Sequence, residues 1–124
     1  SIDYMFDGQN FQIFSHSGVN TNKMILKDYI HNLVANGAGE ILLTSVDKEG
    51  LMNGYDENFN KIIENYLEIP ILINGGGGTP QHILDVFKKN QIDAACASSI
   101  FFYSQYGYVD IKHFLMKNKI NVRN

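Results

Sequence analysis

Four consecutive glycines, Gly75 to Gly78, stand between the apolar run Ile69-Pro70-Ile71-Leu72-Ile73 and the pair Thr79-Pro80. A short apolar run reads as a buried strand, threonine is a good helix N-cap, and proline suits the first helical position. The segment therefore predicts strand, glycine turn and helix start in immediate succession. Glycine has no Cβ, so backbone N–H groups there can approach an anion closely. The new helix adds unpaired N–H groups and the positive end of its dipole. That arrangement suits phosphate; a tight turn with no ligand is the alternative, and a glycine run alone does not separate the two.

The alternation recurs along the chain. Met24-Ile25-Leu26, Tyr29-Ile30 and Leu33-Val34 form an amphipathic helix that Gly37 terminates. Glu40 to Val46 is a mostly apolar strand, followed by the polar loop Asp47-Lys48-Glu49-Gly50. A helix from Asp56 to about Tyr66 carries Phe59, Ile62, Ile63 and Tyr66 on one face, with Asp56 capping its start. After the glycines, Ile83, Leu84, Val86 and Phe87 mark another helix. Asp93 to Ala97 is a small-residue strand ending at Ser98-Ser99, and a helix from about Asp110 to Lys119 closes the series. At the start, Ser1-Ile2-Asp3 reads as a strand. Tyr4 to Gly18 is irregular, with a turn at Asp7-Gly8 and a small extra strand at Phe11-Gln12-Ile13-Phe14.

Strands alternating with helices imply a parallel sheet covered by helices. The architecture is either an open three-layer sheet or half of an eight-stranded barrel. Asp3, Asp47 to Glu49, Asn74 with the glycines, and Ser98-Ser99 all fall at the C-terminal ends of successive strands, where a barrel gathers its active-site groups. The expected fold class is therefore α/β: half of a (β/α)8 TIM barrel with four parallel βα units, occupying residues 1–124 as one unit.

A hydrophobic content of 44% is enough for a core, while a net charge of −3 without a basic stripe argues against nucleic acid as a partner. No apolar run approaches a membrane span and no cleavable leader is seen, so a cytoplasmic enzyme without membrane partners is expected. Cys96 reads as a buried core thiol, with no disulfide. The histidines, His16, His31, His82 and His113, lack ligand spacing, so neither metal nor cofactor is expected. His31 and His113 read as helix-surface residues, and His82 as a solvated or capping group. Phe101-Phe102-Tyr103 and Tyr106 to Tyr108 are expected to pack in the core.

The stretch Gly37-Ala38-Gly39-Glu40-Ile41-Leu42-Leu43-Thr44-Ser45-Val46-Asp47-Lys48-Glu49-Gly50, with Gly54-Tyr55-Asp56, resembles the cyclase subunits of imidazole glycerol phosphate synthase, a (β/α)8-barrel family of histidine biosynthesis. Ser1-Ile2-Asp3 resembles the family's fifth strand, Ser15-His16-Ser17-Gly18 the following loop, and Asn118 to Arg123 its C-terminus. The resemblance covers the second half of the family barrel, strands 5 to 8. It implies a glutaminase partner that supplies ammonia and a phosphorylated substrate, a ribulosyl aminoimidazole ribonucleotide. The implied products are imidazole glycerol phosphate and an aminoimidazole carboxamide ribotide.

By the same resemblance, Asp3 matches a catalytic aspartate that transfers protons. Its counterpart belongs to the family's first strand, so the chain alone is expected to be inactive. Gly50, Gly75, Gly76 and Ser99 match positions that hold one substrate phosphate. Ser98 stands where the family has alanine and adds a hydroxyl, and Ser17 and Thr44 line the rim. Three departures touch that rim. Glu49 and Leu51 stand where the family has aspartate and threonine, Met5 where it has lysine, and Asn74 where it has serine. Glu49 keeps the second carboxylate, one methylene longer. These departures leave open a paralogue that amidinates surface-glycan sugars, and the missing first half leaves open an inactive phosphate-binding half-barrel. Open sheet edges would pair with an N-terminal half-barrel or with a second copy of the chain.

Overall fold

The structure is a computed structural model that describes residues 1–15, 20–22, 25–63, 69–89 and 92–123. Its elements run β1 (Ile2–Phe6), β2 (Phe11–Ser15), β3 (Asn20–Asn22), α1 (Leu26–Ala35), β4 (Ile41–Ser45), a 3-10 turn (Glu57–Phe59) leading into α2 (Asn60–Ile63), β5 (Ile71–Asn74), α3 (Pro80–Lys89), β6 (Ala94–Ala95), α4 (Ser99–Tyr103) and α5 (Tyr108–Lys117). One six-stranded sheet has the order β3-β2-β1-β4-β5-β6. The strands β1, β4, β5 and β6 are parallel, and β2 and β3 are added antiparallel. The sheet is open, with β3 and β6 at its edges.

Period-two alternation sorts the strand residues onto two unlike faces. Ile2, Tyr4, Ile13, Ile41, Leu43, Ile71 and Ile73 are buried on one. They join a single core with Leu26 and Ile30 of α1, Phe59, Ile62 of α2, Ile83, Leu84 and Val86 of α3, and Ile111 and Leu115 of α5. The other face carries Asp3, Met5, Leu42, Leu72, Asn74 and Ala94, all only half-buried. A doubly wound sheet covers both faces with helices. A sheet dressed on one face is what a partial (β/α) barrel gives, with the bare face toward the would-be lumen.

Several expectations need correction. β1 continues through Tyr4, Met5 and Phe6, because the hairpin pairs them with Ile13, Gln12 and Phe11, carrying the strand two residues past the parallel ladder with β4, which ends at Tyr4. β3 was not foreseen at all: Asn-Thr-Asn has no apolar alternation to announce a strand. The helix expected from Asp56 opens as a 3-10 turn, with Asp56 Oδ1 accepting from the Asn58 amide at 2.9 Å. Tyr66 lies outside the described residues. The aromatic stretch is largely solvent-facing: Phe102 and Tyr103 are 80% and 81% exposed, and Phe101 and Tyr108 are exposed too. Only Tyr106 of that group packs against the core, because α4 buries a single residue, Ile100.

Candidate functional site

Asp3 of β1 is paired in register with Thr44 of β4, and Thr44 with Asn74 of β5. The three side chains therefore stand in one cross-strand row on the bare face of the sheet. Asn74 Nδ2 donates to Thr44 Oγ1 over a long 3.5 Å, and Thr44 is only 6% exposed. Asp3 is the second residue of a five-residue strand rather than a strand terminus, so hydrogen-bonded ladders on both sides hold it.

Beyond Ser45 the chain folds back tightly. The amides of Lys48 and Glu49 both donate to the Ser45 carbonyl, at 3.2 and 3.0 Å, and Ser45 Oγ donates to Asp47 Oδ1 at 2.8 Å. These turns bring Glu49 and Gly50 beside the glycine run. Together with Asn74, Gly75, Gly76, Ser98 and Ser99 they line a concavity of about 170 Å³ at the strand ends. Seven of the site residues foreseen from the sequence thus meet in one place. Asp3 and Thr44 stand in the neighbouring row, and Ser17 lies outside the described residues.

The glycines serve the loop above them as well as any ligand. Gly75 and Gly76 have φ of +100° and +96°, a backbone region in which side chains are strained. A Cβ at Gly75 would come within 2.7 Å of the Ser45 carbonyl oxygen, and one at Gly76 would run into that of Gly54. The Gly54 amide donates to the Gly76 carbonyl at 2.8 Å, fastening the loop to the turn. At the helix start, Thr79 Oγ1 accepts from the His82 amide at 3.1 Å while His82 Nδ1 accepts from the Gly78 amide at 3.3 Å. His82 is thus a cap, and it occupies one donor that an anion could have used. The Gly76 and Gly77 amides have no acceptor among the described residues.

Four further residues line the concavity, Met52, Gly77, Cys96 and Ala97. Cys96 is half-buried there rather than a core thiol, since β6 stops at Ala95 and the thiol follows on the bare side. Burial raises its pKa above the ordinary thiol range, so it is protonated at neutral pH and is no ready nucleophile. Tyr55, behind the glycines, donates its hydroxyl to the Cys96 carbonyl at 2.9 Å. Burial, and then the neighbouring Cys96, push that phenol's pKa far up, so it stays a donor. Burial and then the Asp56 charge do the same to Tyr4 on the core side. A larger cavity of about 430 Å³ opens away from this site, between the loop around Asp56 and α3. Among the described residues no three His, Cys, Asp or Glu side chains gather as a metal site, and no helix is long and apolar enough to cross a membrane.

A mostly parallel sheet dressed on one face, with polar groups and a glycine-lined concavity at its strand ends, defines an incomplete (β/α) barrel. The family described as histidine biosynthesis protein matches residues 1–107, and the chain belongs to that family. It is 52% identical over 87 residues to the imidazole glycerol phosphate synthase subunit HisF of Methanobrevibacter smithii, covering 70% of this chain and 32% of that protein. The subunits of the same name from Dehalococcoides mccartyi and Pyrococcus furiosus are 37% and 38% identical over 123 residues, 99% of this chain and 49% of each relative. The chain thus spans about half the length of these two curated relatives.

Proposed function

We propose that residues 1–124 are the C-terminal half-barrel, strands 5 to 8, of an imidazole glycerol phosphate synthase cyclase subunit. Completed by an N-terminal half, it uses ammonia from a glutaminase partner to convert a phosphoribulosyl aminoimidazole ribonucleotide into imidazole glycerol phosphate and aminoimidazole carboxamide ribotide. The observation that carries this reading is the row Asp3, Thr44 and Asn74 on the bare sheet face, beside the concavity lined by Gly75, Gly76 and Ser99. In it, Asp3 moves protons during ammonia addition and ring closure, within hydrogen-bond reach of the substrate. Glu49 supplies the second carboxylate of this half, and the opposing aspartate comes from the other half. One phosphate of the substrate rests on the Gly50, Gly75 and Gly76 backbone and the Ser98 and Ser99 hydroxyls, with Asn74, Thr44 and Ser17 along the rim. Backbone amides suit this task because they carry partial positive charge with no side chain to desolvate.

The departures at Glu49 and Asn74 both line this concavity, which favours one second reading, a paralogue that amidinates surface-glycan sugars. One experiment separates the two. The chain is combined with the N-terminal half of a relative's barrel, and ammonia-dependent turnover of the ribulosyl ribonucleotide is measured. Turnover supports the histidine-pathway reading; an intact barrel that ignores this substrate supports the paralogue.

A further inference from the structure

Tyr55 is 7% exposed and reaches across 41 residues to donate to the Cys96 carbonyl. Its ring lies against the glycine turn so closely that a Cβ at Gly77 would meet the Tyr55 hydroxyl, and would stand 3.2 Å from the Ala97 Cβ on the far side. The hydroxyl thus bridges the two walls of the 170 Å³ concavity from behind: the glycine turn on one side and the segment Cys96 to Ser99 on the other. The first wall is fastened to the Tyr55 loop by the bond from the Gly54 amide to the Gly76 carbonyl. The second is anchored by Ala97 against the core and by the fully buried Ile100, with few backbone bonds to the sheet. The ladder of β6 ends at Ala95, the Cys96 amide still donates to the Ile73 carbonyl at 2.7 Å, and Ser98 makes no side-chain cap at the start of α4.

We propose that Tyr55 is the positioning residue of the anion site: its hydroxyl, bonded to the Cys96 carbonyl, sets the spacing between the Gly76 and Gly77 amides and the Ser98 and Ser99 hydroxyls. Affinity for a phosphoryl group then depends on a hydroxyl that does not touch the ligand. The proposal rests on the reading of this concavity as the phosphate site. Burial keeps the phenol protonated, so the bond persists across the working pH range, and the ring supplies the stiffness that a hydrogen bond alone lacks.

The test is a titration of the whole chain with inorganic phosphate, followed through backbone amide NMR shifts, beside urea midpoints for the same samples. In the wild-type chain the Gly76 and Gly77 amides should shift saturably. Tyr55→Phe keeps the ring and removes the hydroxyl, and should weaken phosphate about five- to tenfold, the equivalent of one neutral hydrogen bond. Gly77→Ala, which displaces the hydroxyl from the other side, should weaken it comparably and serves if the first variant folds poorly. A residue with only a structural role would lower the urea midpoint and leave the phosphate affinity of the folded chain unchanged. Unchanged affinity in the folded variants therefore overturns the role of Tyr55 alone. Absence of any shift at Gly76 and Gly77 in the wild-type chain overturns the anion site and this proposal with it.

Discussion

The Gly54 amide and the Gly76 carbonyl share a 2.8 Å hydrogen bond that lays one loop directly on the glycine turn. A side chain at position 76 faces both a strained φ and the Gly54 carbonyl oxygen, whereas Gly8, at φ +98°, has open space around it. Gly8→Ala should cost about 1–2 kcal/mol from backbone strain alone. Gly76→Ala should cost about 1–3 kcal/mol more, the usual penalty of overpacking. Urea unfolding of the two variants checks this; equal losses would show that the loop does not rest on the turn.

The bare sheet face and the edges β3 and β6 should make the isolated chain associate, as closure into an eight-stranded barrel removes edges on both partners. Sedimentation at micromolar concentration should show a dimer or larger species, and a well-dispersed monomer would count against the half-barrel. Phe102→Ser with Tyr103→Ser, both strongly exposed, should leave the stability of a folded copy within about 0.5 kcal/mol per site.

The order of the main strands and helices was legible because glycine and polar punctuation divides the chain and the longer helices show an apolar stripe, whereas α4, which buries only Ile100, was not foreseen. The hairpin strand β2 announced itself through Phe11 and Ile13, while β3 carries no apolar signal and took its place by pairing with β2. Most of the candidate site followed from strand ends. What the sequence concealed was register: that Asp3 aligns with Thr44 and Asn74 although β1 runs on to Phe6 depends on pairing with two different neighbours. Aromatic residues 101–103 misled because apolar character announces burial only if a partner element exists to cover them. The glycines also serve a packing role that the sequence did not show. They read as room for an anion, but much of the need for them comes from Ser45, Met52, Gly54 and Tyr55 packed against them.

Acid should loosen the β1–β2 hairpin. Asp7 Oδ1 accepts from the Asn10 and Gln9 amides at 2.7 and 2.9 Å, and Oδ2 from Gln12 Nε2 at 2.8 Å. The Asn10 amide first, then Gln9 and the Gln12 side chain, lower the Asp7 pKa. With the folded value below the unfolded one, its contribution is complete above the unfolded carboxylate value of ~3.9 and is lost as pH falls through the folded value. Urea midpoints measured from about pH 6 to pH 2 should fall less steeply for Asp7→Asn than for the wild-type chain. Identical acid limbs would remove Asp7 from the account.

Glu49→Asp restores the shorter carboxylate at the rim of the concavity and should leave turnover of the completed barrel unchanged or mildly raised. A loss of about tenfold, or 1.4 kcal/mol, would instead show that the added methylene is matched to a different substrate.

The most direct test is the rate of ammonia-dependent turnover by the chain combined with an N-terminal half-barrel, with aspartate or asparagine at position 3. Asparagine keeps the shape but cannot accept a proton as a carboxylate does. Asp3→Asn should lower turnover about 10²–10⁴-fold with the fold and substrate binding retained. Equal turnover by a barrel that binds the ribonucleotide with either residue would contradict it.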